Sequence, residues 1–350
     1  MAKNRGVYPA PEVKLSDYVA GEETGIMYQE VNSTGDWTLH QPTKESQYLN
    51  GFDTSACVSY SALNCIEFQL NYMLSAGLIP ESKVQKLSTW GYITNGKFNF
   101  SDRFTAKMSG TTPLGNTLQK VWDSIRKDGL VPEQNWGSSS STFADYYKEI
   151  PQQVKDLGKN ILTIFDFKYE WIVTSNCGTS NLDYLKHHLK QAPLQPAHPL
   201  CVRDDNNVFQ PCGACITQHA TTIYQIDDLI RNFDHYEPYT NKYALTYTFP
   251  WIMKGVVIMK EEEPEEPPFN HKFTVDMKYG QRSEEIKFLQ KAYNILGYSV
   301  PVTGFFGNQT QAITMDFQKK YNVASLWEII FLRGKLVGPK TRNKLNTLLQ

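Results

Sequence analysis

Apolar residues recur at helical spacing over 57–76 (CVSYSALNCIEFQLNYMLSA), with Val58, Ala62, Cys65, Ile66, Leu70 and Met73 in register. That pattern predicts an amphipathic to buried helix. A second helix is predicted over 115–128, with Leu118, Val121, Trp122 and Ile125 on one face and Gly129 just past its end. A third is predicted over 180–191, capped by Ser180 or Asn181. After residue 200 the texture changes. Segments 220–226, 228–234, 243–249 and 255–260 are rich in β-branched and aromatic residues and read as strands. Helices first and an antiparallel sheet later predict an α+β fold. The last part of the chain is helical again, over 283–297 (capped by Ser283), 308–322 and 339–349 (Pro339 at the first position), with glycine-containing turns between.

One boundary stands out. Residues 261–268 read EEEPEEPP, and like charges interleaved with prolines extend a chain instead of packing it. The expected organisation is an irregular arm (1–45, with Pro9, Pro11 and Pro42), a large unit (46–260), an acidic linker (261–272) and a small three-helix unit (273–350). Composition then narrows the class. At 41% hydrophobic residues the 350-residue chain is too apolar to be disordered, and no apolar run approaches the ~18 residues of a membrane span. The formal net charge of −1 argues against a nucleic-acid partner. That total is a cancellation: residues 273–350 hold eleven Lys and Arg against five Asp and Glu, a surplus of six positive charges. Such a module predicts a polyanionic partner. The first residues, MAKNRGVYPAPEVK, lack the apolar core of a secretory leader, so synthesis in a cytoplasm is expected, with later action elsewhere.

The candidate nucleophile is Cys57. A thiol at the start of a helix gains from the uncapped N–H groups and partial positive charge there, which also suit an oxyanion. The candidate base is His219, at the entry to the first predicted strand. Asn232 and Asp234, two residues apart on a neighbouring strand, share a face and are the candidates to orient it. Four more cysteines, Cys177, Cys201, Cys212 and Cys215, lie before His219. They read as structural thiols or disulfides stapling that loop, with a four-cysteine zinc site as the alternative. His187, His188 and His198 are expected on a solvated helix face and loop.

These residues resemble those of the papain-like cysteine peptidases. The matching motifs are Cys57-Val58-Ser59-Tyr60 opening a long helix, His219-Ala220 opening a strand, and GNTLQKVWDSIRKDGLVPEQNW at 115–136, together spanning about 45–260. The resemblance implies a two-lobed domain, a helical lobe beside an antiparallel sheet or barrel. It implies thiolate attack by Cys57 with His219 as base and no cofactor or metal. The family's third residue is an Asn followed by Ser and Trp. Aligning Asp234-His235-Tyr236 keeps the aromatic, whereas aligning Asn232 keeps only the amide; Asp234 is preferred, since a carboxylate holds the imidazolium equally well, with Asn232 the alternative. The family's oxyanion Gln sits six residues before its Cys, where this chain has Gly51; Gln47, ten before, serves if the intervening loop is longer.

Residues 273–350 are similar to the small helical peptidoglycan-binding domains found beside wall hydrolases. The motifs are Glu285-Ile286-Lys287-Phe288-Leu289-Gln290, Thr303-Gly304-Phe305-Phe306-Gly307, and Val337-Gly338-Pro339-Lys340-Thr341, with ASLWEIIFLRGK (324–335) a longer apolar link. The architecture resembles phage lysins. It implies a cysteine peptidase held at a bacterial wall through an anionic polymer, acting on a peptide substrate. The alternatives are a catalytically silent virion component and a peptidase that matures virion proteins.

Overall fold

The computed structural model describes residues 7, 20, 30–140, 142–174, 180–214, 216–260 and 269–349. The chain divides into two compact units, 1–260 and 261–350. The first is α+β. Its axis is the helix Cys57–Ser75, buried over its first fifteen residues, Cys57–Asn71. A helix buried on all sides must satisfy its own polar side chains. Gln69 does so by donating to Gly255 O (3.0 Å) and accepting from Val257 N (3.0 Å), and so docks the helix on the sheet. Gln195 donates to Val58 O (2.9 Å) and Ser61 Oγ (2.7 Å) and accepts from Trp122 Nε1 (2.7 Å).

The sheet has eight strands. In spatial order seven of them are Phe165–Val173, Trp251–Met259, Leu194–His198, Thr222–Ile226, Ile230–Phe233, Thr240–Tyr243 and Val208–Phe209; the short pair His219–Ala220 adds to Leu194–His198. All pairings are antiparallel except that of Val208–Phe209 with Thr240–Tyr243. The order runs from one edge to the other, so the described strands form an open sheet and not a closed barrel. Two apolar clusters flank the central helix. One gathers Ile66 and Leu70 with Val121, Trp122, Tyr169 and Met253. The other gathers Phe68 with Trp37, Leu189, Leu194, Ile223 and Phe233.

Several predicted boundaries shift. The helices over 115–128 and 180–191 are Leu118–Asp128 and Leu182–Leu189, and Asn181 is the cap, accepting from Tyr184 N at 3.1 Å. The predicted strand over 243–249 stops at Tyr243. The chain turns, with Tyr247 N donating to Ala244 O (2.9 Å), and Tyr247 and Phe249 pack beside His198. Their apolar rhythm serves a core and not a ladder. His198 and His188 are buried, not solvated. His198 sits on a strand with Nδ1 at Pro199 O (2.8 Å), and burial pushes it down to about 3. His188 meets the buried Lys254, which pairs with Glu170 at 2.6 Å. His187 stays exposed.

The described residues of the second unit form four helices where three were expected: Glu284–Ile295, Asn308–Lys320, Leu326–Leu332 and Pro339–Leu348. The additional one is the apolar link. Ser325 and Glu328 form a capping box at its start, a signal present in the sequence. Trp327 (70% exposed) and Phe331 (66%) stack on its outer face. The Thr303–Gly307 motif is a turn built on Gln290, whose Oε1 accepts from Thr303 N (2.8 Å) and Gly304 N (2.9 Å).

Candidate active site

Cys57 is the first residue of the central helix, and the cap residue Ala56 supplies no side-chain bond. Ser59 N donates to Ala56 O (2.8 Å) and the Val58 backbone lies on the Cys57 sulfur, so what a ligand meets there is the positive end of the helix. The turn into the helix is set by Asp53, whose Oδ1 accepts from Ser55 N (2.8 Å) and from Gln47 Nε2 (2.7 Å). Ser55 holds a left-handed φ of 57° there, a conformation that costs a non-glycine residue about 1 kcal/mol.

A hairpin, Tyr48–Leu49 against Phe52–Asp53, takes up the extra length between Gln47 and Cys57. Thr54 N donates to Gln47 O (3.1 Å), so Gln47 lies beside a residue three before the nucleophile although it is ten away in sequence. Gln47 is fully buried.

The candidate base lies on the two-residue strand His219–Ala220. The Ala220 backbone hydrogen-bonds to the Cys57 sulfur. His219 Nε2 lies 2.8 Å from Asp234 Oδ1, and Nδ1 is buried with no hydrogen-bond partner. With Nε2–H donating to the carboxylate, the Nδ1 lone pair is the basic site. Asp234 also accepts from His235 N (2.7 Å) and, through Oδ2, from Asn241 Nδ2 (2.8 Å). Burial would raise its pKa, but His219 and these donors outweigh burial and hold it well below the usual range. The Cys57 thiol is pushed above its ordinary value by burial, opposed by the Ala220 and Val58 backbones. A buried thiol of that kind rests protonated and loses its proton to a base during attack.

Of the two orienting candidates, the structure places Asp234 on His219. Asn232 instead donates to Thr221 Oγ1 (3.0 Å), which lies 3.1 Å from His198 Nε2. A register irregularity between Arg231 and Asn232, and the end of the strand at Phe233, break the alternation that put both on one face. Tyr236, the aromatic two positions on, hydrogen-bonds to Asp53 Oδ2 and sits 5.6 Å from the His219 ring. It thus ties the His219 side to the Cys57 turn. Asp53 and Asn241 escaped the sequence reading: each acts across a turn, and neither lies in a recognisable motif.

Cys201 and Cys212 are joined in a disulfide. Bonded sulfurs cannot serve as thiolate ligands, so the zinc alternative for Cys177, Cys201, Cys212 and Cys215 loses two of its four donors; Cys177 and Cys215 lie outside the described residues. Among the described residues the one cluster of metal-type donors is His219, Asp234 and His235, within 4.8 Å of one another. No helix is long and apolar enough to cross a membrane among the residues described.

Beside the site lies a group of acids, Glu67 and Asp102 buried and Glu45 and Glu133 half-buried. Glu45, two residues before Gln47, is hydrogen-bonded to Asp102 and accepts from Asn99 Nδ2 (2.9 Å). Glu67 accepts from Phe100 N (2.7 Å). Burial raises all four acids of the cluster, repulsion from neighbouring carboxylates adds to it at Glu67, Asp102 and Glu133, and Glu133 is pushed up to about 8. A carboxyl raised in the fold keeps its proton where the unfolded chain has lost it, so stability falls as pH rises from 4.5 towards about 8. Thermal melts should give a lower melting temperature at pH 8 than at pH 5, and Glu133→Gln should flatten the dependence. A melting temperature that rises over this interval would refute the account.

No family model matches the sequence, and no curated protein matches it. Among solved structures the chain is similar to xylellain, a cysteine protease from Xylella fastidiosa, at 15% identity and a TM-score of 0.48, over 74% of this chain and 96% of that one. It is similar to digestive procathepsin L 3 of Tenebrio molitor larval midgut at 13% identity and a TM-score of 0.41, over 72% and 76%. It is also similar to the Carica candamarcensis cysteine protease CMS1MS2, in complex with E-64, at 13% identity and a TM-score of 0.39, over 63% and 96%.

Proposed function

We propose that the chain is a cysteine peptidase of papain-like type, phage-encoded, acting at the bacterial cell wall. The observation that carries the catalytic part is His219, held through Nε2 by Asp234 with its Nδ1 unpartnered, next to the residue whose backbone bonds to the Cys57 sulfur. In the reaction the Sγ–carbonyl carbon bond forms as the thiol proton passes to Nδ1. The oxyanion meets the positive end of the central helix, with Gln47 nearby. The tetrahedral carbon then expels the amine, which takes the proton from His219, and water attacks the thioester by the same route. The wall assignment is supported by the six-charge surplus of residues 273–350 and by their motifs.

A second reading, a silent scaffold within a virion, is favoured by one observation: Cys57 and His219 are both 0% exposed. The full chain tested on purified sacculi and on casein, with labelling by a thiol-reactive epoxide near neutral pH, separates the readings. Clearing of sacculi with Cys57 labelled is the expected result. Casein digestion alone moves the substrate to proteins, including virion proteins. Neither clearing nor labelling overturns the proposal in favour of the scaffold.

A further inference from the structure

A cavity of about 870 Å3 is walled by Asp234 and Tyr236 and also by Arg203, Phe209, Glu237 and Asn241. Its place follows from the catalytic ring. Two of its walls flank that ring: Asp234 holds His219 at Nε2 (2.8 Å) and Tyr236 sits 5.6 Å from the ring centre. The leaving amine must take its proton from His219, so the departing half of a substrate passes that ring on the way to this cavity.

Arg203 is fixed in an unusual way for a surface cation. Its guanidinium donates to Asn207 Oδ1 (2.7 Å) and Asn241 Oδ1 (2.8 Å) and lies over the Phe209 ring at 4.3 Å. All three partners are neutral. No carboxylate pairs with it among the described residues, although Glu237 opens on the same cavity. Two of its five N–H donors are engaged in these bonds, and the planar head is held ready for a bidentate acceptor. Asn241 in turn donates to Asp234. A charge at Arg203 is therefore coupled to the catalytic carboxylate through one amide.

Resting on the peptidase reading, we propose that this cavity receives the leaving-group half of the substrate, and that Arg203 selects a carboxylate there, from an acidic side chain or a free C-terminus. A neutral cradle leaves the full charge of the guanidinium for the substrate. The fixed fork spares the ordering cost that a mobile lysine would carry.

Binding is read with the Cys57→Ala chain, so it does not depend on turnover. The probes are three fluorescein-labelled pools of random octapeptides. One has Glu at a fixed position near an amidated end. One has Gln there and a free C-terminus. The third has Gln and an amidated end. At least one carboxylate pool should bind about tenfold tighter than the neutral pool, a gain of the size expected for a charge-assisted fork, and which one it is identifies the source of the carboxylate. Arg203→Met in the same background should bring the pools within about twofold. Glu237→Gln should widen the preference, and serves where Arg203→Met does not fold. Equal binding of all pools, a preference that survives Arg203→Met, or one unmoved by Glu237→Gln would each overturn the assignment. Failure of the wild-type chain to cut any pool while the preference holds would refute the peptidase reading and leave the carboxylate subsite standing.

Discussion

Cys57→Ala should abolish peptide hydrolysis, lowering kcat by about 10⁴-fold or more, with the melting temperature changed by only a few degrees. The size of the loss follows from the geometry. The first residue of the central helix carries the sulfur at the positive end of that helix, against the backbone of Ala220, the residue after His219. Among the described residues the other free thiol, Cys65, lies eight residues further along the buried helix. His219→Ala should be nearly as severe. The double variant should be no worse than either, because a nucleophile and its base act as one unit. Steady-state kinetics on any substrate identified by the sacculus and casein assays, paired with thermal melts, provides the check. Residual hydrolysis above about 1% in Cys57→Ala would rule out the thiol mechanism.

Gly129→Ala should destabilise the first unit by about 3 kcal/mol or more. Gly129 ends the helix Leu118–Asp128 with φ 75° and ψ −159°, a region open in practice only to glycine. A Cβ there would lie 1.7 Å from Gly158 O and 2.6 Å from Gly158 C. Both obstacles are backbone, and that backbone is pinned, since Leu130 N donates to Gly158 O at 3.1 Å. Gly77→Ala separates the two effects. Its φ is 67° but nothing lies within 4 Å of the added carbon, so only the left-handed strain of about 1 kcal/mol remains. Urea midpoints of the two variants should differ accordingly. Equal midpoints would mean that the contact with Gly158 relaxes freely.

Much of the scaffold was legible because it is written in short-range patterns. The central helix announced itself by apolar spacing, the chain divides at Lys260 before a run of acids and prolines, and Cys57 stands where its helix begins. Other signals were present and passed over. Phe165–Val173 alternates buried and exposed residues over its first five positions, and Ser325 with Glu328 spells a capping box. Leu194–His198 carries no such signal, since it is buried on every residue and has Pro196 at its centre.

The chain by itself determined which chemistries were available: one thiol at a helix start, a histidine opening a strand, and an amide and a carboxylate two residues apart. It also determined that the small unit is basic. Sequence favoured Asp234 over Asn232, and the tertiary structure supplied the physical reason. A one-residue irregularity in the ladder and the end of the strand at Phe233 turn the carboxylate to His219 and the amide to Thr221. It likewise brought Gln47 beside Thr54 and set Arg203 against Asn241. Those meetings depend on how a hairpin and a loop close in space, and spacing along a chain does not record the distance between residues that a turn brings together.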